Sequence, residues 1–253
     1  MALINSLLTI NQCLLMGLRG KTKMVVLSVG GSIVCPGTPD VPFIVNFTQA
    51  IKKYLSKDEK RKIILTIGGG ATARSYITAY NDVRKNLSLE ASSYDGDMIG
   101  IMATRLNAEL IRAIFAEDCH SPVVYDPTTV KDFEGRVLVA AGWKPGFSTD
   151  TDAVLLATQF SSDMVVNLSN IAKVYTADPR KDANAKAIDA ISWEDFIKMV
   201  GTEWTPGKNV PFDPVASVKA KEAKLKVICA NGKDIANLEN ILEGRDFVGT
   251  IIG

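Results

Sequence analysis

The chain has 253 residues, enough for one large domain or two small ones with a core of their own. Hydrophobic residues make up 47% and charged residues 23%, which excludes disordered, collagen-like and low-complexity chains. Lys and Arg number 29 against 28 Asp and Glu, a net charge of +1, so no global field attracts nucleic acid and any anion site must be local.

The first 23 residues, MALINSLLTINQCLLMGLRGKTK, are Leu-rich but lack the basic opening of a secretory signal. They are read as an N-terminal extension (1–23), the alternative being a short amphipathic helix lying on the domain or on a second subunit. Met24 stands directly before the first strand and is expected to open the domain, assigned to 24–253. From there short β-rich runs alternate with segments of helical period, the signature of an α/β fold with a mainly parallel sheet. The expected strands are MVVLSV, KIILTI, PVVYD, RVLVAA, DMVVNLS and KVICA. The expected helices are Phe43 to Leu55, Ala73 to Lys85, Ala103 to Phe115, Thr151 to Gln159, Ser192 to Met199 and Pro214 to Ala223. Strands with so few polar interruptions need cover on both faces, which predicts a three-layer α/β/α sandwich. The segment TEWTPGKNVPFDP (202–214) reads as a long surface loop before a helix that starts after Asp213 and Pro214. No composition shift marks a second domain, and no apolar run approaches the roughly 18 to 20 residues that span a bilayer.

Four segments place glycines or small polar residues directly after a strand, where a parallel sheet presents its ligand crevice. In VVLSVGGSIV, Gly30 and Gly31 allow a tight turn that aims N–H groups at an anion, with Ser32 as a further donor; an ordinary strand exit reads the same way. In ILTIGGGATARSYI, the run Gly68 to Gly70 meets a helix at once, so helix-terminal N–H groups face any phosphate bound there. Arg74, one turn inside, can reach that phosphate with two parallel hydrogen bonds or stay solvated. In AAGWKPGFSTDTDAV, Lys144 lies in a loop whose Ser148, Thr149 or Asp150 caps the next helix. In DMVVNLSNIAKVYTADPRKD, a strand runs into Ser169 and Asn170, followed by Tyr175, placed to stack beside a base or to staple a surface hairpin, and by a turn at Asp178 and Pro179.

Absences narrow the chemistry. GKT at 20–22 has Leu15 where a P-loop needs its first glycine, and no G-x-G-x-x-G follows a strand. The single histidine, His120, and the lack of a G-x-S-x-G elbow argue against a histidine metal cluster and a Ser-His-Asp hydrolase. Four cysteines, Cys13, Cys35, Cys119 and Cys229, form no C-x-x-C pair, which speaks against structural zinc and for a reducing, cytoplasmic setting. Glycine-bearing strand ends, hydroxyl donors, one Arg and one Lys, with no obvious base or nucleophile, suit phosphoryl transfer, where positioning and charge neutralisation do most of the work.

Taken in order, VGGSIV, GGGATAR, DMIGIMATRLNA (97–108), PGFSTDTDAV, NLSNIAKVYTADPRKD and DPVAS resemble the amino acid kinase superfamily, and within it the uridylate kinases of the archaeal type. The resemblance runs from Met24 to Ile252. It implies a three-layer fold, transfer of the ATP γ-phosphate to UMP with Mg²⁺ in pyrimidine nucleotide biosynthesis, and assembly into hexamers, with no nucleic acid or membrane as partner. Carried over by position, Gly30, Gly31, Ser32, Gly70 and Arg74 are expected at the ATP phosphates, Arg74 as the catalytic charge. Gly69 and Asp97 are expected to hold UMP, Asp97 through the ribose hydroxyls. Lys144, Pro145, Gly146, Phe147, Ser148 and Thr149 are expected at the UMP phosphate, and Ser169, Asn170, Lys173, Tyr175 and Asp178 in the ATP pocket. Metal ligands are not assigned.

The chain departs from the family where T-N-V-D-G-V-Y is usual: Ala172 and Lys173 replace an acidic residue and a turn glycine. Lys173 is expected to strain a backbone that used φ > 0, and either substitutes for a phosphate-binding lysine or marks lost ATP chemistry. Trp143 and Lys144 stand where small residues or His are more usual. Two alternatives follow: a kinase of another small acceptor, or a non-catalytic nucleotide or oxoanion (molybdate-type) storage protein on the same scaffold.

Overall fold

The computed structural model describes residues 24–203 and 210–253; the N-terminal extension, the GKT segment, Cys13 and the tip of the 202–214 loop lie outside them. Five parallel strands carry the architecture: β1 (Met24–Val29), β2 (Lys62–Ile67), β3 (Val137–Ala140), β4 (Met164–Ser169) and, later in the chain, β8 (Lys226–Asn231). The short β5 (Val174–Tyr175) and β6 (Ala187–Ile188) form a separate antiparallel hairpin, while β7 (Ala190–Ile191) and β9 (Thr250–Ile252) extend the main sheet to the order β3-β2-β1-β4-β8-β9-β7. β9 runs antiparallel to β8.

Alternation along the strands builds two cores. Val25, Leu27 and Val29 face one side with Ile63, Leu65 and Ile67, where they meet Phe43, Phe47 and Ile51 of helix α2 (Val41–Ser56) and Leu238 and Ile241 of α8 (Ile235–Leu242). Ile111 of α4 (Ser93–Ile114) joins the same face. Val26, Ile64 and Val227 face the other side, against α5 (Thr149–Gln159), α6 (Trp193–Val200) and α7 (Pro214–Glu222). Full burial of each such side chain contributes about 1.5–3 kcal/mol. Helix α3 (Gly70–Asn86) buries no residue and lies outside on α4, so it stands where it does because β2 and its glycines start it there. The remaining helix, α1 (Gly31–Val34), is a single turn. Side-chain caps start the longer helices: Asp40 accepts from Phe43 N, Ser92 from Asp95 N, Ser148 from Thr151 N and Asp213 from Ala216 N.

The three-layer sandwich is as the strand pattern predicts, with local differences. PVVYD is no strand: Val124 alone bridges Ala140, since Pro122 and Pro127 flank it and proline removes the ladder donor on either side. The helix expected from Ala103 begins at Ser93 instead, because Ser92 caps it and the helix carries Gly96 and Gly100 inside it. Helix α8 and strand β9 carry signals too short to stand out alone. Lys173 is not strained, since the non-glycine residues with positive φ are Ser88, Ser161 and Lys224 among those described. Among the described residues no helix is long and apolar enough to cross a membrane.

Candidate active site

The C-terminal ends of five parallel strands lie along one edge, and the glycine segments follow from three of them. Gly30 N–H donates to Leu168 O of β4 at 2.8 Å, and Gly68 N–H to Val29 O of β1 at 3.0 Å. The first two turns then touch backbone to backbone: a Cβ on Gly31 would lie 2.0 Å from Gly70 N and 2.6 Å from Gly69 N. Gly70 adopts φ +63°, and a Cβ there would strike Gly31 O at 2.3 Å, so this junction requires glycine on both sides. Ala71 N donates to Cys35 O at 2.8 Å, which fastens α3 to the end of α1. Ser32 is half-buried in α1, and Arg74 is exposed one turn into α3.

The third loop is held from the side. Gly146 N–H donates to Asp97 Oδ2 at 2.9 Å, and Gly142 N–H to Thr104 Oγ1 at 2.8 Å. Arg105 donates to Trp143 O at 3.2 Å. Lys144 is exposed and its ammonium lies 3.8 Å above the Trp143 ring and 4.9 Å from that of Phe147, a cation–π arrangement worth about 0.5–1 kcal/mol at an exposed site. Pro145 is half-buried and Gly146 turns with φ +81°. Ser148 caps α5 and Thr149 opens it. The expected phosphate loop and Asp97 are therefore in direct contact.

The fourth segment divides. At the end of β4 Ser169 O accepts from Gly232 N at 2.8 Å, while the Ser169 hydroxyl is buried with no hydrogen-bond partner among the described residues; Asn170 is exposed beside it. The residues further on belong to the hairpin. Lys173 pairs with Asp189, and Asp178 pairs with Arg180 at 3.0 Å, which holds the Asp178 carboxyl below the usual range. Tyr175 is half-buried in β5. Their charges are thus answered within or beside the hairpin rather than at the glycine turns.

Beneath the turns lies a polar layer that sequence reasoning missed. Ser28, Thr66 and Asn167 sit side by side in register across β1, β2 and β4, on the face covered by α5. Ser28 donates to Asp150 Oδ1 at 2.7 Å, and Asp213 N–H donates to Asp150 Oδ2 at 3.3 Å. Burial of the carboxyl, reinforced by the Asp213 charge and opposed by these hydrogen bonds, pushes Asp150 up to about 6. Asp152 is wholly buried; one oxygen accepts from Trp143 N–H at 3.2 Å and the other has no hydrogen-bond partner among the described residues. Burial pushes it to about 7, with that hydrogen bond opposing. The segment STDTD reads as a helix cap and phosphate contact, and no role is expected of Asp152, because sequence does not say which of its acids turns inward.

Among the described residues no group of three or more His, Cys, Asp or Glu side chains is arranged to hold a metal ion.

The profile of the Amino acid kinase family matches residues 23–231. The chain is 34% identical over 233 residues to the uridylate kinase of Methanocorpusculum labreanum, covering 90% of this chain and 95% of that protein. It is 35% identical over 217 residues to the uridylate kinase of Methanococcoides burtonii, covering 83% and 87%. The crystal structure of uridylate kinase from Archaeoglobus fulgidus superimposes with a TM-score of 0.75 at 31% identity, covering 90% of this chain and 99% of that one. The chain belongs to the amino acid kinase family.

Proposed function

We propose that this member of the amino acid kinase family transfers the γ-phosphate of ATP to UMP, giving UDP and ADP. The observation that carries the reading is the convergence of the two glycine turns, backbone against backbone, beside a loop tied to Asp97, together with similarity to uridylate kinases over nine-tenths of the chain. A phosphate oxygen of UMP attacks the γ-phosphorus and the bond to the β–γ bridging oxygen breaks, leaving ADP. Phosphate monoesters lose their second proton near pH 6, so the acceptor arrives largely ionised and needs no protein base.

Each group then has a role set by position. The Gly30–Gly31 turn, through Gly31 N–H because Gly30 N–H is taken by Leu168 O, and Gly70 N–H, with the Ser32 hydroxyl, surround the transferring phosphates, and Arg74 neutralises charge that spreads over the γ-oxygens. Gly69 and Asp97 hold UMP, Asp97 through ribose hydroxyls. The Lys144–Thr149 loop takes the acceptor phosphate, with Lys144 leaving its aromatic perch to do so. Ser169, Asn170, Tyr175, Asp178 and Lys173 border the donor nucleotide; the unpartnered Ser169 hydroxyl supports that placing most directly. Mg²⁺ entering with ATP supplies further charge neutralisation. The catalytic domain comprises 24–253 with 1–23 as an extension, the assembly is a hexamer, and the setting is cytoplasmic pyrimidine biosynthesis, in keeping with free buried thiols at Cys35, Cys119 and Cys229.

The test is incubation of the full chain with ATP and Mg²⁺ against UMP, CMP, dUMP, AMP and GMP, following ADP release above an acceptor-free control. Preference for UMP is expected. Folded protein that turns over none of them overturns the proposal and favours a storage role.

A further inference from the structure

The segment DMIGIMATRLNA contributes more than Asp97. On α4, Thr104 stands between the two halves of the site. Its hydroxyl accepts from Gly142 N–H at 2.8 Å and donates to Ile101 O at 2.6 Å. Its methyl lies 3.5 Å from where a Cβ on Gly69 would sit, and its hydroxyl 2.9 Å from where one on Gly142 would sit. The side chain therefore fills the space that both glycines leave open. One turn on, buried Asn107 donates through Nδ2 to Gly68 O at 2.9 Å and Gly69 O at 3.1 Å. Both carbonyls are thereby drawn toward α4, which fixes the peptide planes of the glycine run. None of these atoms belongs to a charged or exposed group, and together they tie the end of β2 to the end of β3 through one helix.

We propose that Thr104 and Asn107 are positioning residues: Thr104 sets the spacing between the glycine run and the acceptor loop, and Asn107 sets the orientation of the glycine peptides. The inference rests on the kinase reading above. Neither residue touches substrate. A buried β-branched side chain bonded back to its own helix has little freedom, so Thr104 acts as a rigid spacer. Displacement of reacting groups by about an ångström costs roughly a hundredfold in rate, which gives such a spacer its leverage.

The experiment compares the full chain with Thr104→Val, Thr104→Ser and Asn107→Ala. Val keeps the shape and removes the hydroxyl; Ser keeps the hydroxyl. Thr104→Val is expected to raise KM for UMP about tenfold with KM for ATP within about twofold, and Thr104→Ser to stay within about threefold of the parent on both. Asn107→Ala is expected to lower kcat at least tenfold. Amide hydrogen exchange, read without turnover, is expected to accelerate at residues 142–148 in Thr104→Val while the β2 and β3 amides keep their protection. Should Val not fold, Thr104→Ala, which is smaller than the residue it replaces, gives the same two readouts. Unchanged acceptor KM and unchanged loop exchange overturn the proposal, as does a loss that strikes UMP and ATP alike in step with melting temperature. A parent that turns over no UMP, but whose loop exchange responds to Thr104→Val, refutes the kinase reading and leaves the positioning role standing.

Discussion

Gly31→Ala tests the junction on which the active-site geometry depends. The added Cβ would lie 2.0 Å from Gly70 N and must retreat by about 1.4 Å to reach the 3.4 Å at which ordinary contact begins. Nothing flexible is available to yield, because the opposing atoms are backbone of Gly68, Gly69 and Gly70. The glycine run is itself held by Asn107 and by Gly68 N–H on Val29 O, so the two turns must part. Overpacking of this kind costs about 1–3 kcal/mol of stability, and a displacement near an ångström costs about a hundredfold in rate. Gly37→Ala is the matched control, since a Cβ there meets nothing within 4 Å. The assay is kcat/KM for UMP at saturating ATP beside thermal melting of both variants. Gly31→Ala is expected to lose about two orders of magnitude in rate while remaining folded, and Gly37→Ala to match the parent within threefold. Equal activity in both variants, or equal loss in both, would refute the argument that contact between the two turns sets the phosphate geometry.

Three further outcomes follow from the same geometry. Arg74→Ala removes an exposed guanidinium, so melting should shift by less than about 2 °C while kcat falls on the order of a hundredfold; unchanged steady-state kinetics would remove Arg74 from the reaction. Asp97→Asn keeps an oxygen for Gly146 N–H but weakens the acceptor for ribose hydroxyls, and is expected to raise the apparent KM for UMP about tenfold, with unaltered UMP titrations counting against the ribose assignment. Asp152 is raised to about 7 from 3.8 by burial, so its unfolded form ionises first and the chain loses stability as pH rises from about 4 to about 7. Asp152→Asn should therefore raise the melting temperature relative to the parent at pH 8 and lose that advantage near pH 4; an advantage that grows on acidification would contradict the raised value.

The layered fold was legible in the sequence because its cause is local and repeated. Val25, Leu27 and Val29 alternate with Val26 and Ser28, and strands apolar on both faces must be covered twice. The strand-end glycines were legible too, since a run such as Gly68 to Gly70 directly after a strand permits a tight turn and close backbone approach. Short elements were not: β9 exists because the sheet has an open edge beside β8, and α8 because its Leu238 and Ile241 cover the sheet face beside α2, conditions no three-residue or eight-residue window records. PVVYD failed in the opposite sense, as its β propensity was overruled by flanking prolines and a single available partner.

Sequence by itself determined which strands carry glycine at their ends and which side chains are available to meet an anion. Only the tertiary structure decided which of those groups face one another. Gly31 and Gly70 are separated by 39 residues yet share one van der Waals gap. Ser28 and Asp150 lie 122 residues apart and share a proton donor and its acceptor. Lys173, open from sequence to a role at a phosphate, is answered by Asp189 across the hairpin. Contacts of that range depend on how α4 and α5 lie against the sheet, and burial within that packing is what raises Asp150 and Asp152. A linear pattern specifies each partner's chemistry, but the distance between partners is a property of the packed chain.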